Sequence, residues 1–199
     1  MSAAAITYDW GMSRWEPNAR GRLEQAALEL YIERGFEQTT VAEIATRAGL
    51  TERTFFRHFD DKREVLFAGG SALEDLLVSA VTRAPDGLAP IDAAAAGLEA
   101  AGTVLQERRE LARQRQAVIN ANAELREREL IKLASLSTAL AGALRQRGAA
   151  DPAASLTAEL TIAVFKVAFE RWVGQASQRT LPQLVRESLD ELKALTAGG

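Results

Sequence analysis

The sequence contains no cysteine and a single histidine, His58. Without cysteine there is no disulfide framework, no thiolate metal site and no cysteine nucleophile. One histidine by itself builds neither a metal site nor a Ser/His triad. Carboxylate pairs such as Glu107 with Glu110 and Glu124 with Glu127 alternate with arginines at helical spacing. They read as solvated ion-pair faces, not acid/base machinery. An enzyme on a helical bundle would need a nucleophile, a metal cluster or paired acids at one place. None appears, so no catalytic residue, metal or cofactor is expected.

Positive charge is also in short supply, since 24 Lys and Arg face 27 Asp and Glu for a net charge of −3. Any nucleic-acid reader must therefore gather its cations locally, where phosphate attraction acts. Met1 to Ile6 lacks a basic start and Asp9 follows, so no signal peptide is expected. The longest uncharged apolar-rich run, Leu133 to Leu144, is far shorter than the roughly 20 residues of a membrane span. The expectation is a soluble, cytoplasmic protein with no membrane partner. No internal repeat and no strand-like alternation bounded by turn signals is present.

What is present is helix. The chain is rich in Ala, Leu, Glu, Arg and Gln, all good helix formers or tolerant of helix. Residues 1–16 read as a tail, with Arg14, Arg20 and Arg22 leaving open a basic arm against phosphate or the minor groove. A first helix is expected from Pro17 to Gly35, since Leu23, Ala26, Ala27, Leu30 and Tyr31 share one face. Thr39 or Thr40 caps a short second helix with Val41, Ile44, Ala45 and Ala48 inward. Gly49 suits the left-handed turn that follows. Thr51 then caps a third helix, Glu52 to His58. A fourth is expected from Lys62, capped by Asp60 or Asp61, through Ala80, with a weak point at Gly69-Gly70. Further helices are expected over Pro90 to Gln106, Glu107 to Gln116, Asn122 to Arg147, Asp151 to Gln175, and Pro182 to Thr196. The fold class is all-α with about nine helices. The expected division is a tail over 1–16, a three-helix helix-turn-helix unit over 17–64, and a larger helical unit over 65–199.

Two short helices joined by a glycine turn form a helix-turn-helix. Ile44, Ala45, Leu50, Phe55 and Phe59 are expected to clamp them together. The opposite face of the third helix then carries Thr51, Arg53, Thr54, Phe56, Arg57 and His58, groups able to meet phosphates or base edges. From Arg47 to Arg63 there are five basic residues (Arg47, Arg53, Arg57, Lys62, Arg63) against three acids (Glu52, Asp60, Asp61), a local excess of +2.

Three segments carry a resemblance: Thr39 to Ala45, Ala48 to Thr51, and Thr54 to Leu66. Together they resemble the DNA-binding domain of the tetracycline-repressor (TetR) family over residues 18–66. The resemblance implies that Thr40 touches a phosphate and that Thr51, Arg53 and Thr54 face the groove. Phe56 stands where the family often has tyrosine; its ring can pack on sugar or a thymine methyl but has no hydroxyl. His58 and Lys62 match phosphate-contacting positions, and for His58 a surface residue with no role stays open. Glu52 accepts from cytosine N4 or simply faces water. The resemblance further implies a double-stranded DNA operator of palindromic form, a homodimer, and a small-molecule effector bound in the C-terminal unit.

For the dimer, Leu156, Leu160, Val164 and Val167 on the eighth helix and Leu184, Val185, Leu189 and Leu192 on the ninth form broad apolar surfaces. The other reading is that they close the monomer core. For the effector, Arg109, Arg113, Gln116 and Asn120 are candidate polar groups, with Phe165, Phe169 and Trp172 as apolar wall. The expected function is a sequence-specific transcriptional regulator, a ligand-responsive repressor. A ligand-binding or scaffold protein that no longer reads DNA is the rival.

Overall fold

The computed structural model describes residues 18–174 and 178–197. The expected tail and the end of the eighth helix at Gln175 lie outside them. The described residues form nine α-helices and one 3-10 turn, with no strand. Three make the N-terminal unit: α1 (Ala19–Arg34), α2 (Val41–Arg47) and α3 (Glu52–His58). A 3-10 turn, Glu64–Phe67, leads into α4 (Gly70–Arg83) and α5 (Pro90–Gln106). Then come α6 (Arg109–Ala121), α7 (Ala123–Gln146), α8 (Asp151–Gly174) and α9 (Leu181–Ala197).

The N-terminal core follows from the helical spacing of apolar residues. Leu23, Ala27, Leu30 and Tyr31 from α1 meet Ile44 of α2 and Phe55 of α3, all buried. This cluster does not stop at residue 64. It continues through Val65, Leu66 and Phe67 and takes in Val118, Ile119 and Leu125 from the α6–α7 corner. The second core is centred on α8, which packs against α5, α6, α7 and α9. Trp172, Leu140, Leu144, Leu181 and Leu184 are fully or almost fully enclosed there. Small residues on α5 permit close helix approach: a Cβ at Gly97 would lie 2.8 Å from Leu77 Cδ1 and 3.2 Å from its carbonyl oxygen.

The segments Glu64–Arg83 and Asp151–Gly174 are long and apolar enough to cross a membrane by length and composition alone. The first is interrupted by the 3-10 turn, and the second is the helix around which the C-terminal core is built.

The single helix expected from Lys62 to Ala80 is instead a 3-10 turn followed by α4. Two causes coincide. Gly69 and Gly70 each disfavour helix by about 1 kcal/mol relative to alanine. Two carbonyls that a continuous helix would use are also taken by side chains. Arg20 Nη2 donates to Ala68 O at 2.7 Å, and Arg115 Nε donates to Leu66 O. The sixth helix runs five residues past the expected Gln116, because Val118 and Ile119 are buried against the N-terminal core.

Candidate nucleic-acid interface

Local hydrogen bonding fixes the angle between α2 and α3. Thr40 caps α2: its hydroxyl accepts from Glu43 N at 3.3 Å, while the Glu43 carboxylate accepts from Thr40 N at 2.9 Å. That backbone bond, followed by one from the Thr40 hydroxyl, holds the Glu43 carboxyl below the usual carboxylate range despite opposing burial. Helix α2 ends in a Schellman turn, with Leu50 N donating to Ala45 O at 2.8 Å and Gly49 N to Thr46 O at 2.9 Å. Gly49 has φ 67°, and a Cβ there would stand 2.7 Å from Arg22 Nη2. Glycine is therefore demanded by the backbone, while the Arg22 tip could swing aside from a side chain here. The Arg22 guanidinium donates to Ala48 O, adding a positive group to the carbonyl end of α2.

Thr51 caps α3 by accepting from Thr54 N at 3.2 Å, and the two hydroxyls lie 3.0 Å apart. Whichever of them donates, the other keeps its proton for an outside acceptor. Phe55 is fully buried and Phe59 nearly so, which turns Arg53, Phe56 and Arg57 outward.

The five basic residues between 47 and 63 divide sharply. Arg47 forms a two-point pair with Glu33 at 2.8 and 2.9 Å, and that bond holds the Glu33 carboxyl low. Arg63 pairs with Asp61 at 2.6 Å. Lys62 Nζ donates to Phe36 O at 2.9 Å, Thr39 O at 3.0 Å and Glu37 O at 3.4 Å, and lies 4.3 Å from the centre of the Phe36 ring. Among the described residues, Arg53 and Arg57 have no hydrogen bond or ion pair and are exposed. Of these five cations, two guanidiniums on one face of α3 are thus left without an intramolecular partner.

The remaining expected contacts are placed less openly. The Thr40 hydroxyl donates to Glu43 Oε2 at 2.9 Å, so a phosphate would compete for that proton. His58 is half-buried, and its Nε2 is enclosed without a hydrogen-bond partner. A phosphate contact from Lys62 would have to displace one of its loop carbonyls.

The structure also divides the residues expected around an effector. Arg109 points inward, donating from Nε at 3.0 Å and Nη2 at 2.7 Å to the Trp172 carbonyl. Gln116 is half-buried and donates to Asn120 and Glu129, each at 3.1 Å. Arg113 and Asn120 are exposed, with Arg113 paired to Glu110 at 2.7 Å. Phe165, Phe169 and Trp172 form a ladder with successive ring centres 5.6 Å apart. Trp172 is fully buried, yet its Nε1 has no partner, and neither has Gln116 Oε1.

Of the residues expected at a dimer surface, Val164, Leu184, Val185 and Leu189 are buried within the subunit's own core. These four close the monomer, because α8 and α9 pack on each other and on α5. Leu156, Leu160 and Val167 are exposed on one stripe of α8, and Leu192 is half-buried.

Sequence reasoning missed the links between the two units. Glu64 bridges Arg128 and Lys132 of α7, the latter at 3.0 Å. Arg115 joins the Leu66 carbonyl to Glu129 and lies 4.9 Å from the centre of the Phe67 ring. Asn122 donates to Glu37 at 2.9 Å. The spacing of Arg128 and Lys132 at i and i+4 was visible, but their partner lies 64 and 68 residues away.

A short N-terminal helix-turn-helix joined to a larger helical unit is the layout of a helix-turn-helix regulatory protein. The sequence profile for bacterial regulatory proteins of the tetR family matches residues 24–68, and that for the MftR C-terminal domain matches 88–197. The chain belongs to the TetR family. It is 40% identical over 74 residues to the HTH-type transcriptional regulator TcmR of Streptomyces glaucescens, a match covering 37% of this chain and 33% of TcmR. It is 38% identical over 65 residues to the HTH-type transcriptional activator FasR of Mycolicibacterium smegmatis, covering 33% and 30%. The chain thus spans about a third of the length of these relatives. Among solved structures, a SmeT–triclosan complex superposes with a TM-score of 0.64 at 21% identity, over 89% of this chain and 90% of that one.

Proposed function

We propose that this chain is a ligand-responsive transcriptional repressor that binds a palindromic DNA operator as a homodimer in the cytoplasm. The observation that carries the reading is the pair Arg53 and Arg57, unneutralised on the outer face of α3 while neighbouring cations are used internally. Unpaired guanidiniums on a recognition helix can bind phosphate or guanine without first losing an intramolecular partner. Thr51 and Thr54 add one free hydroxyl proton beside them. The match to TcmR, an HTH-type transcriptional regulator, supports the same reading.

The dimer rests on the exposed α8 stripe of Leu156, Leu160 and Val167. A second copy would cover the stripe, and its two-fold axis would give the operator its palindrome. The effector site rests on α6 and α8, where Arg109, the unpartnered Trp172 Nε1 and Gln116 Oε1, and the Phe165–Phe169 ladder offer polar groups in an apolar setting. SmeT, of the same fold, is seen in complex with triclosan. An effector would act by binding more tightly to a state in which the two recognition helices no longer fit successive major grooves. The FasR match favours a second reading, activation from the same operator.

The test is selection of random duplex DNA on the purified protein at about physiological salt, alongside Arg53→Ala and Thr54→Ala. Recovery of a palindrome whose half-sites degrade in the variants supports the reading. No enriched duplex at low or physiological salt would end it.

A further inference from the structure

Residues 64–70 connect the two units, and their backbone stands close to two helical forms. Glu64–Phe67 is 3-10, and α4 begins at Gly70. The residues beside the turn stay in the right-handed region: Arg63 has φ −69° and ψ −41°, Ala68 −56° and −33°, and Gly69 −79° and −4°. Turning ψ of Gly69 by about 40° brings it to the α-helical value. A Cβ at Gly69 or Gly70 would meet nothing within 4 Å, so packing does not require the break. Two guanidiniums oppose closure. In a continuous helix Leu66 O would accept from Gly70 N, and Ala68 O from Ala72 N. Here Arg115 Nε donates to the first carbonyl and Arg20 Nη2, at 2.7 Å, to the second.

Arg115 lies on α6 and so ties this turn to the C-terminal unit. Its guanidinium stands 4.9 Å from the centre of the Phe67 ring and 3.7 Å from Glu129, a loose pair. The other Glu129 oxygen accepts from Gln116 at 3.1 Å, and Gln116 Oε1 is enclosed without a partner. A ligand that donates to Oε1 therefore acts on the carboxylate that steadies Arg115. Resting on the effector and DNA readings above, we infer that residues 64–70 are a two-state linker set by Arg115. It is broken while Arg115 holds Leu66 O, and α-helical and continuous with α4 once Arg115 lets go. A 3-10 helix rises about 2.0 Å per residue against about 1.5 Å in an α-helix, so closure over four residues shortens the link by about 2 Å. Val65, Leu66 and Phe67 are buried in the N-terminal core, and that unit moves with them. The long side chains of Arg128 and Lys132, which hold Glu64, follow a shift of that size. The continuous form is the one an effector favours, and in it α3 is displaced from its place in the major groove.

The experiment compares amide hydrogen exchange at residues 70 and 72 in the wild type, Gly69→Ala/Gly70→Ala and Arg115→Met. Rates are corrected for intrinsic exchange and measured without DNA or ligand, and calorimetry establishes that each variant is folded. Each glycine-to-alanine change favours helix by up to about fivefold, so the double variant slows exchange at both amides by up to roughly thirtyfold. Arg115→Met slows it at residue 70 although a hydrogen bond has been removed, whereas loss of a merely structural bond speeds exchange nearby. Affinity for the duplex recovered by selection, at fixed salt, falls in both variants because the fraction in the broken form falls. Exchange at residue 70 that is unchanged or faster in either variant overturns the two-state linker. Slower exchange with unchanged affinity overturns its control of DNA binding. Failure to recover any duplex removes the DNA reading alone, and the exchange rates still decide the linker.

Discussion

Replacing Lys62 by methionine separates two roles for its ammonium, because the substitution retains most of the apolar stem and removes only the charged group. A phosphate ligand would matter to DNA and not to folding. In the structure Lys62 is a two-way strap. Its ammonium donates to Phe36 O and Thr39 O at 2.9 and 3.0 Å, with a weaker bond to Glu37 O at 3.4 Å. Its own carbonyl accepts from the Tyr31 hydroxyl at 2.6 Å. Burial, aided by the nearby Asp61 charge, keeps Tyr31 protonated well above the usual phenol range, so that donor persists at any ordinary pH. Charge-assisted hydrogen bonds contribute about 1.5–3 kcal/mol each when well formed. A cation over an aromatic ring at a partly open site adds about 0.5–1 kcal/mol. Because the group is half-exposed and these contributions overlap, the lower end applies, and Lys62→Met is expected to destabilise by about 2–3 kcal/mol. For a chain of this size that lowers Tm by about 4–12 °C. The assays are calorimetry for stability and the slope of log affinity against log salt for phosphate neutralisation. The expected outcome is a fall in Tm with the salt slope unchanged. Tm within about 1 °C of wild type, with the slope reduced by about 0.9 for each phosphate no longer neutralised, would refute the strap and make Lys62 a phosphate ligand.

Arg57→Ala should weaken operator binding and flatten the salt slope by about 0.9 for each phosphate left without its cation, whereas Arg47→Ala, whose guanidinium is held by Glu33, should leave that slope within error. Leu160→Glu, on the exposed stripe of α8, removes at least about 1.5 kcal/mol from each of two copies and should weaken dimerisation roughly a hundredfold or more. Sedimentation equilibrium reads this, and an unchanged dissociation constant would move the dimer surface elsewhere. Burial pushes the Asp61 carboxyl up, but bonds from the Arg63 guanidinium and the Arg63 and Glu64 amides outweigh it and hold the group low. A folded pKa below the unfolded value gives stability that is complete above the unfolded pKa and lost as pH falls through the folded one. Asp61→Asn should therefore show a shallower stability loss below about pH 4, and an unchanged acid limb would show that the carboxylate does not contribute.

Local physics made the DNA-facing half of this protein legible. The spacing of Leu23, Ala27, Leu30 and Tyr31 dictates α1, the Thr40–Glu43 box starts α2, Gly49 sets the turn, and Thr51 starts α3. Each depends on residues close to one another in the chain, so the sequence alone contains the cause. The outward face of Arg53, Phe56 and Arg57 follows by elimination once Phe55 and Phe59 are buried. Tertiary structure decided the rest, because the causes lie far apart in the chain. Which cations are free depends on carboxylates from another helix, as with Glu33 and Arg47. The break before α4 falls at the weak point Gly69-Gly70 visible in the sequence, but the carbonyls beside it are held by Arg20 and Arg115, 48 and 49 residues away. Val164 and Val167 look alike in a hydrophobic pattern, yet one is buried and the other open, because packing of α8 against its neighbours covers only part of its apolar surface. Helical periodicity identifies an apolar face but cannot say whether the same chain or a second copy covers it; only the arrangement of the helices does that.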